Sequence, residues 1–304
     1  MRPMMRLSRN AARAMVTMIS AALLIGGCAQ TGPSASPGTL QVLATTTVFA
    51  DIVGEVGGSR ITVSSIVPPG VGPEDYEPRT GDSKRLADAQ LIVSNGVGLD
   101  DFLDGLLTST AAQAARLVLG EGIPTIETEG QPNPHFWLDP SLVVAQYLPK
   151  IVAKLSELDP AGETSFEENA ATYGKQLEDL DVTLKAKVAE IPQANRKLVT
   201  FHDAFPYFAR HFGFEMIGVI VENVGQDPSA GELAALVEKV ETARVKAVFS
   251  EAQFSPKLAE TLAGEAGVEK VVTTLYNDAL GDPPADTYIG MMRWNVEQVV
   301  DALK

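Results

Sequence analysis

The chain has one cysteine, Cys28, and three histidines among its 304 residues. A lone thiol cannot close an internal disulfide, so a fold of this size must be held by packing. Basic residues are scarce: 24 Lys plus Arg stand against 39 Asp plus Glu, a formal charge of −15. That balance argues against general affinity for the nucleic-acid phosphate backbone and favours cations. A GxxxxGKS/T phosphate loop, an HExxH helix and a nucleophile elbow are all missing. The chain therefore powers nothing by nucleotide hydrolysis, and no separate general base marks it as an enzyme.

What is present begins with a leader. Arg2, Arg6, Arg9 and Arg13 precede an apolar stretch from Ala14 to Ile25 that is too short for a comfortable membrane span, the layout of a secretory signal. It runs into Leu24-Ile25-Gly26-Gly27-Cys28, which resembles a bacterial lipobox. The resemblance implies cleavage before Cys28 and lipidation of its thiol, hence an extracytoplasmic protein anchored to the membrane by acyl chains. Removing residues 1–27 takes away four arginines and no acid, so 20 basic residues then face 39 acidic ones and the formal charge becomes −19. Residues 28–39, with Gly32, Pro33, Ser34, Ser36, Pro37 and Gly38, read as a flexible tether.

From Leu40 onward, short apolar runs alternate with amphipathic stretches, the pattern of α/β architecture with mostly parallel sheets. Strands are expected at Leu40 to Thr46, Ile61 to Val67, Gln90 to Ser94 and Arg116 to Leu119, then again at Leu198 to Phe201, Glu215 to Val221, Ala247 to Ser250 and Lys270 to Leu275. Two similar (β/α) lobes follow, residues 40–162 and 193–304. Between them, at 163–192, Phe166, Ala170, Tyr173, Leu177, Leu180, Leu184, Val188 and Ile191 recur at helical spacing. A helix from Thr164 to Glu190, capped by Thr164 or Ser165, would be a rigid rod of about 40 Å joining the lobes.

Ligands of open α/β sheets sit beyond the carboxyl ends of strands. Four such places carry candidate metal-binding side chains. They are the proline-rich loop Pro68 to Pro78 with Glu74, Asp75 and Glu77, the string Asn133-Pro134-His135-Phe136-Trp137-Leu138-Asp139-Pro140, His202-Asp203 after the Leu198 strand, and Asn277-Asp278 after the Lys270 strand. Each has an ordinary alternative: a hydrogen-bonded core histidine, a helix cap at His202, or a solvated loop acid. His211, beside Arg210 in a short helix from Ala204 to Phe212, reads as a surface residue.

The strings Val67-Pro68-Pro69-Gly70 through Tyr76-Glu77-Pro78, Pro134-His135-Phe136-Trp137-Leu138-Asp139-Pro140, His202-Asp203-Ala204-Phe205, Pro228-Ser229, Ser255-Pro256-Lys257-Leu258-Ala259 and Ala285-Asp286-Thr287-Tyr288 resemble, in order, the substrate-binding proteins of zinc and manganese ABC importers. The resemblance implies two lobes trapping one divalent ion, zinc or manganese, with His135, His202 and Asp278 as ligands. It also implies delivery to a permease and, through it, an ATPase, by a protein expected to be monomeric. This chain departs from the pattern at the first ligand, where the family has His and Glu74 stands; Asp75 is the fallback, and Glu77 is assigned to holding the loop. Asp139 and Asp203 are candidates for orienting the imidazoles. His202 resembles the zinc branch, and an N and O site generally binds zinc more tightly than manganese, so zinc is slightly favoured. The alternatives are a secreted metalloenzyme and a surface metal-binding adhesin.

Overall fold

The computed structural model describes residues 39–304 apart from 75, 111, 112, 129 and 223. The expectations for the leader, the tether, Cys28 and Asp75 lie outside the described residues.

Strands β1 (Leu40–Ala44), β2 (Ile61–Ser65), β3 (Leu91–Ser94) and β4 (Ala115–Val118) form an all-parallel sheet of order β2-β1-β3-β4. Helices α1 (Thr47–Gly57), α2 (Thr80–Asp88) and α3 (Phe102–Thr110) alternate with them. Side chains of Val42 and Ala44 enter one buried cluster and that of Leu43 another, so both faces of β1 are covered, as a parallel sheet requires. A two-residue antiparallel ladder, β5 (Glu127–Thr128) with β6 (Gln131–Pro132), then leads to His135.

After α4 (Pro140–Leu142), a π-helical turn at Val143–Tyr147 and α5 (Leu148–Leu158) comes the long helix α6 (Glu163–Val188), 26 residues or about 39 Å. Its buried face is Phe166, Tyr173, Gly174, Leu177, Leu180, Leu184 and Val188, and it packs against α1 and α5 on one side of the sequence and α10 (Tyr288–Leu303) on the other. The expected cap at Thr164 or Ser165 is not used. A 3-10 turn at Pro160–Gly162 feeds the helix directly, with Gly162 at the N-cap and no side-chain cap bond.

The second half repeats the first. β7 (Lys197–Thr200) pairs in parallel with β8 (Glu215–Val219), and β9 (Ala247–Glu251) pairs in parallel with β10 (Lys270–Leu275). These are two separate two-stranded ladders; β7 lies beside β9, so in space the strands follow the order β8-β7-β9-β10, which parallels that of the first sheet. Helices α7 (Pro206–Phe212), α8 (Ala230–Ala243) and α9 (Lys257–Glu265) fill the connections. Ser229 opens α8 with a capping box, its hydroxyl accepting from Glu232 N while the Glu232 carboxylate accepts from Ser229 N.

One apolar cluster runs through both halves, from Leu40 and Phe49 through Trp137 and Leu177 to Phe208, Met292 and Leu303. Polar bonds cross as well: Leu280 N donates to Thr47 Oγ1 at 2.8 Å, and Tyr288 N to Asp51 at 2.8 Å. No helix among the described residues is long and apolar enough to cross a membrane.

Candidate metal centre

Each of the four expected side chains follows the carboxyl end of a strand. The loop after β2 keeps the sheet register for two residues, Ile66 N and Val67 N donating to Ala44 and Thr45 carbonyls, before Pro68 and Pro69 turn it outward. Buried Tyr76 then pins it, the hydroxyl donating to Asp82 Oδ2 at 2.5 Å. Glu74 sits between these anchors. Gly72 makes room beside it, since a Cβ there would lie 3.1 Å from Glu74 Oε2. Glu77 is exposed.

His135 is held more firmly. Asn133 Oδ1 accepts from His135 N at 3.1 Å and lies 3.0 Å from Nδ1, while Asn95 Nδ2 donates to the Pro134 carbonyl at 2.9 Å. The π-helical turn ends at Tyr147, whose hydroxyl donates to Asn95 Oδ1 at 2.5 Å. Opposite, Tyr207 donates to the Asn133 carbonyl, and Asn133 Nδ2 donates to the Asp203 carbonyl at 2.7 Å. Asp278, three residues beyond the end of β10 at Leu275, accepts on Oδ2 from Asn277 Nδ2 at 2.8 Å and Gln253 Nε2 at 3.1 Å. His202 follows β7 directly, its carbonyl accepting from Thr200 Oγ1 at 2.9 Å.

The structure brings all four together. One ligand atom from each of Glu74, His135, His202 and Asp278 lies within 4.8 Å of the others. His135 Nε2 is 3.4 Å from Asp278 Oδ1, and both atoms are buried without a hydrogen-bond partner. His202 Nε2 is 3.7 Å from Asp278 Oδ2. His135, His202 and Asp278 are buried. The Glu74 residue as a whole is exposed, yet its carboxylate turns inward among desolvating atoms. Glu74, His135 and His202 line a cavity of ≈ 1130 Å³ together with Asp203, Glu222 and Asp227.

Charge in this space is crowded. Burial, with Asp278 close by, pushes Glu74 up to about 7. Burial pushes Asp278 up to about 6 against the pull of His202. Burial and the neighbouring His202 drive His135 down to about 3, so its imidazole is neutral. For His202, burial works downward but is outweighed by Glu251, Asp278 and Glu74, which raise it to about 10. An isolated pair of buried carboxylates with unpaired atoms is costly; a divalent cation at their centre relieves both the repulsion and the missing bonds.

Three expectations need correction. Asp139 orients neither imidazole of the group: its Oδ1 accepts from Ser141 and lies 2.9 Å from His211 Nδ1. Asp203 acts at one remove, through Asn133. His211 is not a surface residue; its side chain is 8% exposed and its ring lies between Asp139 and Asp181, the latter 2.6 Å from Nε2. The residues that flank the imidazoles themselves are Asn133 for His135 and Glu251 for His202, with Glu251 Oε1 3.2 Å from Nδ1 but off the line of a good hydrogen bond. Both occupy strand-end positions of the kind already searched.

Mostly parallel sheets backed by one long helix, with two imidazoles and two carboxylates drawn together at strand ends, define a class: binding proteins that hold a small cargo on an α/β frame. The family model described as "Zinc-uptake complex component A periplasmic" matches residues 42–302, and the chain belongs to this family, ZnuA. The manganese-binding lipoprotein MntA of Bacillus subtilis is 32% identical over 304 residues, covering 95% of this chain and 98% of the relative. MntA of Halalkalibacterium halodurans is 30% identical over 290 residues, covering 93% and 95%. Among solved structures, the periplasmic zinc-binding protein TroA of Treponema pallidum superposes with a TM-score of 0.80 at 28% identity, covering 88% of this chain and 99% of that one. The Mn-bound periplasmic metal-binding protein of Candidatus Liberibacter asiaticus gives 0.79 at 25% identity, covering 88% and 100%. These relatives are solute-binding proteins, not enzymes.

Proposed function

We propose that the chain is an extracytoplasmic solute-binding protein that captures one divalent transition metal on Glu74, His135, His202 and Asp278 and delivers it to the permease of an ABC importer. The observation that carries this reading is the convergence of the four donor atoms within 4.8 Å, two of them buried and unpartnered. The names of the relatives support the cargo class and the transport role. Lipidated Cys28 would hold the protein at the membrane as a monomer, within reach of the permease and its ATPase.

Zinc is the tighter-bound cargo in this proposal. Four N and O donors match a tetrahedral zinc site with bonds of about 2.0–2.2 Å, whose ligand–ligand edges are about 3.4 Å. The His135 Nε2 to Asp278 Oδ1 distance, 3.4 Å, is already such an edge. Manganese is the second cargo, taken up when it is far more available, because the carboxylate at Glu74 adds oxygen donors that a harder ion accepts. Closed coordination by four side chains leaves no position for an activated water, which separates this centre from that of a hydrolytic zinc enzyme.

Metal-free protein titrated with zinc and, in competition, manganese tests the reading. One equivalent should bind, and His135→Ala, His202→Ala, Asp278→Ala and Glu74→Ala should each lower zinc affinity by at least about 100-fold, above the usual effect of removing an outer-shell partner. A variant that binds as the parent removes that residue from the centre. Unchanged binding in all four removes the centre itself.

A further inference from the structure

Glu251 ends β9 with its side chain fully buried, and neither carboxylate oxygen has an aligned hydrogen bond. Its one close polar neighbour on a candidate ligand is His202, whose Nδ1 lies 3.2 Å from Oε1. The other ring nitrogen, Nε2, lies 3.2 Å from Asn277 Nδ2 and 3.7 Å from Asp278 Oδ2. An imidazole that binds through Nε2 must keep its proton on Nδ1, and an acceptor placed at Nδ1 both fixes that tautomer and sets the ring plane. His135 shows the same arrangement with a weaker acceptor, Asn133 Oδ1 at 3.0 Å from its Nδ1. The two rings are thus supported unequally, one by a neutral amide and one by a carboxylate.

We propose that Glu251 is the positioning residue of His202, holding the proton on Nδ1 and aiming Nε2 at the cargo. This rests on the metal-centre reading above. Glu251 never touches the ion; it acts through the ring. The stacked pair Phe201 and Phe254, with centroids 4.5 Å apart, and the edge contact of Phe254 to His202 at 5.3 Å wall off the same ring from water, so that no solvent molecule need substitute for the carboxylate. As the metal arrives, the small misalignment at Nδ1 is expected to close into a charge-assisted hydrogen bond.

Glu251→Leu and Glu251→Gln test this, read by zinc titration and by nitrogen-15 NMR of the histidine rings in the zinc-loaded protein, where three histidines give an assignable spectrum. Glu251→Leu should weaken zinc binding 10- to 100-fold, the range for loss of a group that orients a metal ligand. Its His202 Nδ1 proton, left without an acceptor, should move well upfield of the parental position. Glu251→Gln keeps an acceptor, so it should retain the Nδ1 proton, shift that proton upfield and lose several-fold in affinity. It also keeps the test alive should the leucine variant fail to fold. Parental affinity together with parental ring signals in Glu251→Gln overturns the proposal. If His202→Ala also binds zinc normally, the metal-centre reading fails instead, so the two failures are distinguishable.

Discussion

His211→Ala should remove a clasp that ties three parts of the fold. The ring sits on α7, Nδ1 is 2.9 Å from Asp139 just before α4, and Nε2 is 2.6 Å from Asp181 on the long helix. Both nitrogens face carboxylates, so both donate, and the ring is an imidazolium. Burial alone would lower the His211 pKa, but the bonds to Asp139 and Asp181 raise it. Burial alone would raise Asp139, but His211 and Ser141 hold it below the usual range. Breaking a buried pair costs about 3–5 kcal/mol. Because the Asp181 side chain is 19% exposed and keeps Lys185 as a partner, the cost here is discounted below that range, to about 2–3 kcal/mol. For a chain of this size that is a fall in Tm of about 4–10 °C. The sign with pH follows from linkage. A raised His contributes fully below its unfolded pKa of about 6.5 and fades as pH rises through its folded value; a depressed Asp contributes above about 3.9 and fades as pH falls through its folded value. The difference between parent and variant should therefore be largest near pH 5.5 and shrink toward pH 10. Urea unfolding of metal-free protein at both values measures it. A cost below about 1 kcal/mol at pH 5.5, or one that does not shrink at pH 10, refutes the clasp.

Two further outcomes are expected. With His202 near 10 and Glu74 near 7 in the metal-free protein, zinc uptake at pH 7 must expel between one and two protons, and affinity should fall by about ten-fold per proton for each unit of acidification; calorimetry in buffers of different ionisation enthalpy counts them, and a count of zero contradicts the crowded-charge account. Tyr147→Phe leaves Asn95 Oδ1 without its donor and should cost about 1–3 kcal/mol of stability, with weaker zinc binding through the Pro134 carbonyl that Asn95 holds; thermal unfolding beside a zinc titration checks both.

The parallel α/β pattern and the long helix were legible because they are written locally, in apolar runs and in a repeat of three and four residues from Phe166 to Val188. The strand-end rule marked the four places that hold the converging side chains, and the family resemblance picked Glu74, His135, His202 and Asp278 from the candidates there. What stayed hidden depends on packing between distant segments. His211 looked superficial because Arg210 is beside it and its helix is short, whereas its burial comes from Asp139 and Asp181 on other elements. Asp139 lies four residues after His135 in sequence, but the turn at Phe136–Leu138 sends its carboxylate to His211 and not to an imidazole of the centre. Glu251 lies one residue past the expected strand Ala247 to Ser250, and nothing local marks it, because its burial beside His202 comes from packing between β7 and β9. The α6 cap failed because Pro160–Gly162 already forms a helical turn, leaving nothing for Thr164 to terminate.

The bonds near the centre decide which part of it must move. A tetrahedral zinc site needs edges of about 3.4 Å, and the four donors lie within 4.8 Å of one another, so closure requires at most about 1.4 Å of travel. His135 and Asp278 are not free to supply it. Trp137 Nε1 donates to the Asn277 carbonyl at 2.7 Å and Tyr288 donates to the Trp137 carbonyl at 2.6 Å, both fully inside the core. Parting the halves would break these bonds and open the apolar cluster that α6 shares with both sheets. Glu74, by contrast, rides a proline-rich loop whose described residues are pinned at Tyr76 and at the end of β2. Capture should therefore begin on a preformed His135–Asp278 edge and finish by movement of the Glu74 loop. Hydrogen exchange discriminates the two possibilities: the Trp137 indole N–H should be slow with or without zinc, while amides of residues 68–79 should gain protection on loading. A fast-exchanging Trp137 indole in the metal-free protein would mean that the halves separate after all, and that the long helix does not restrain them.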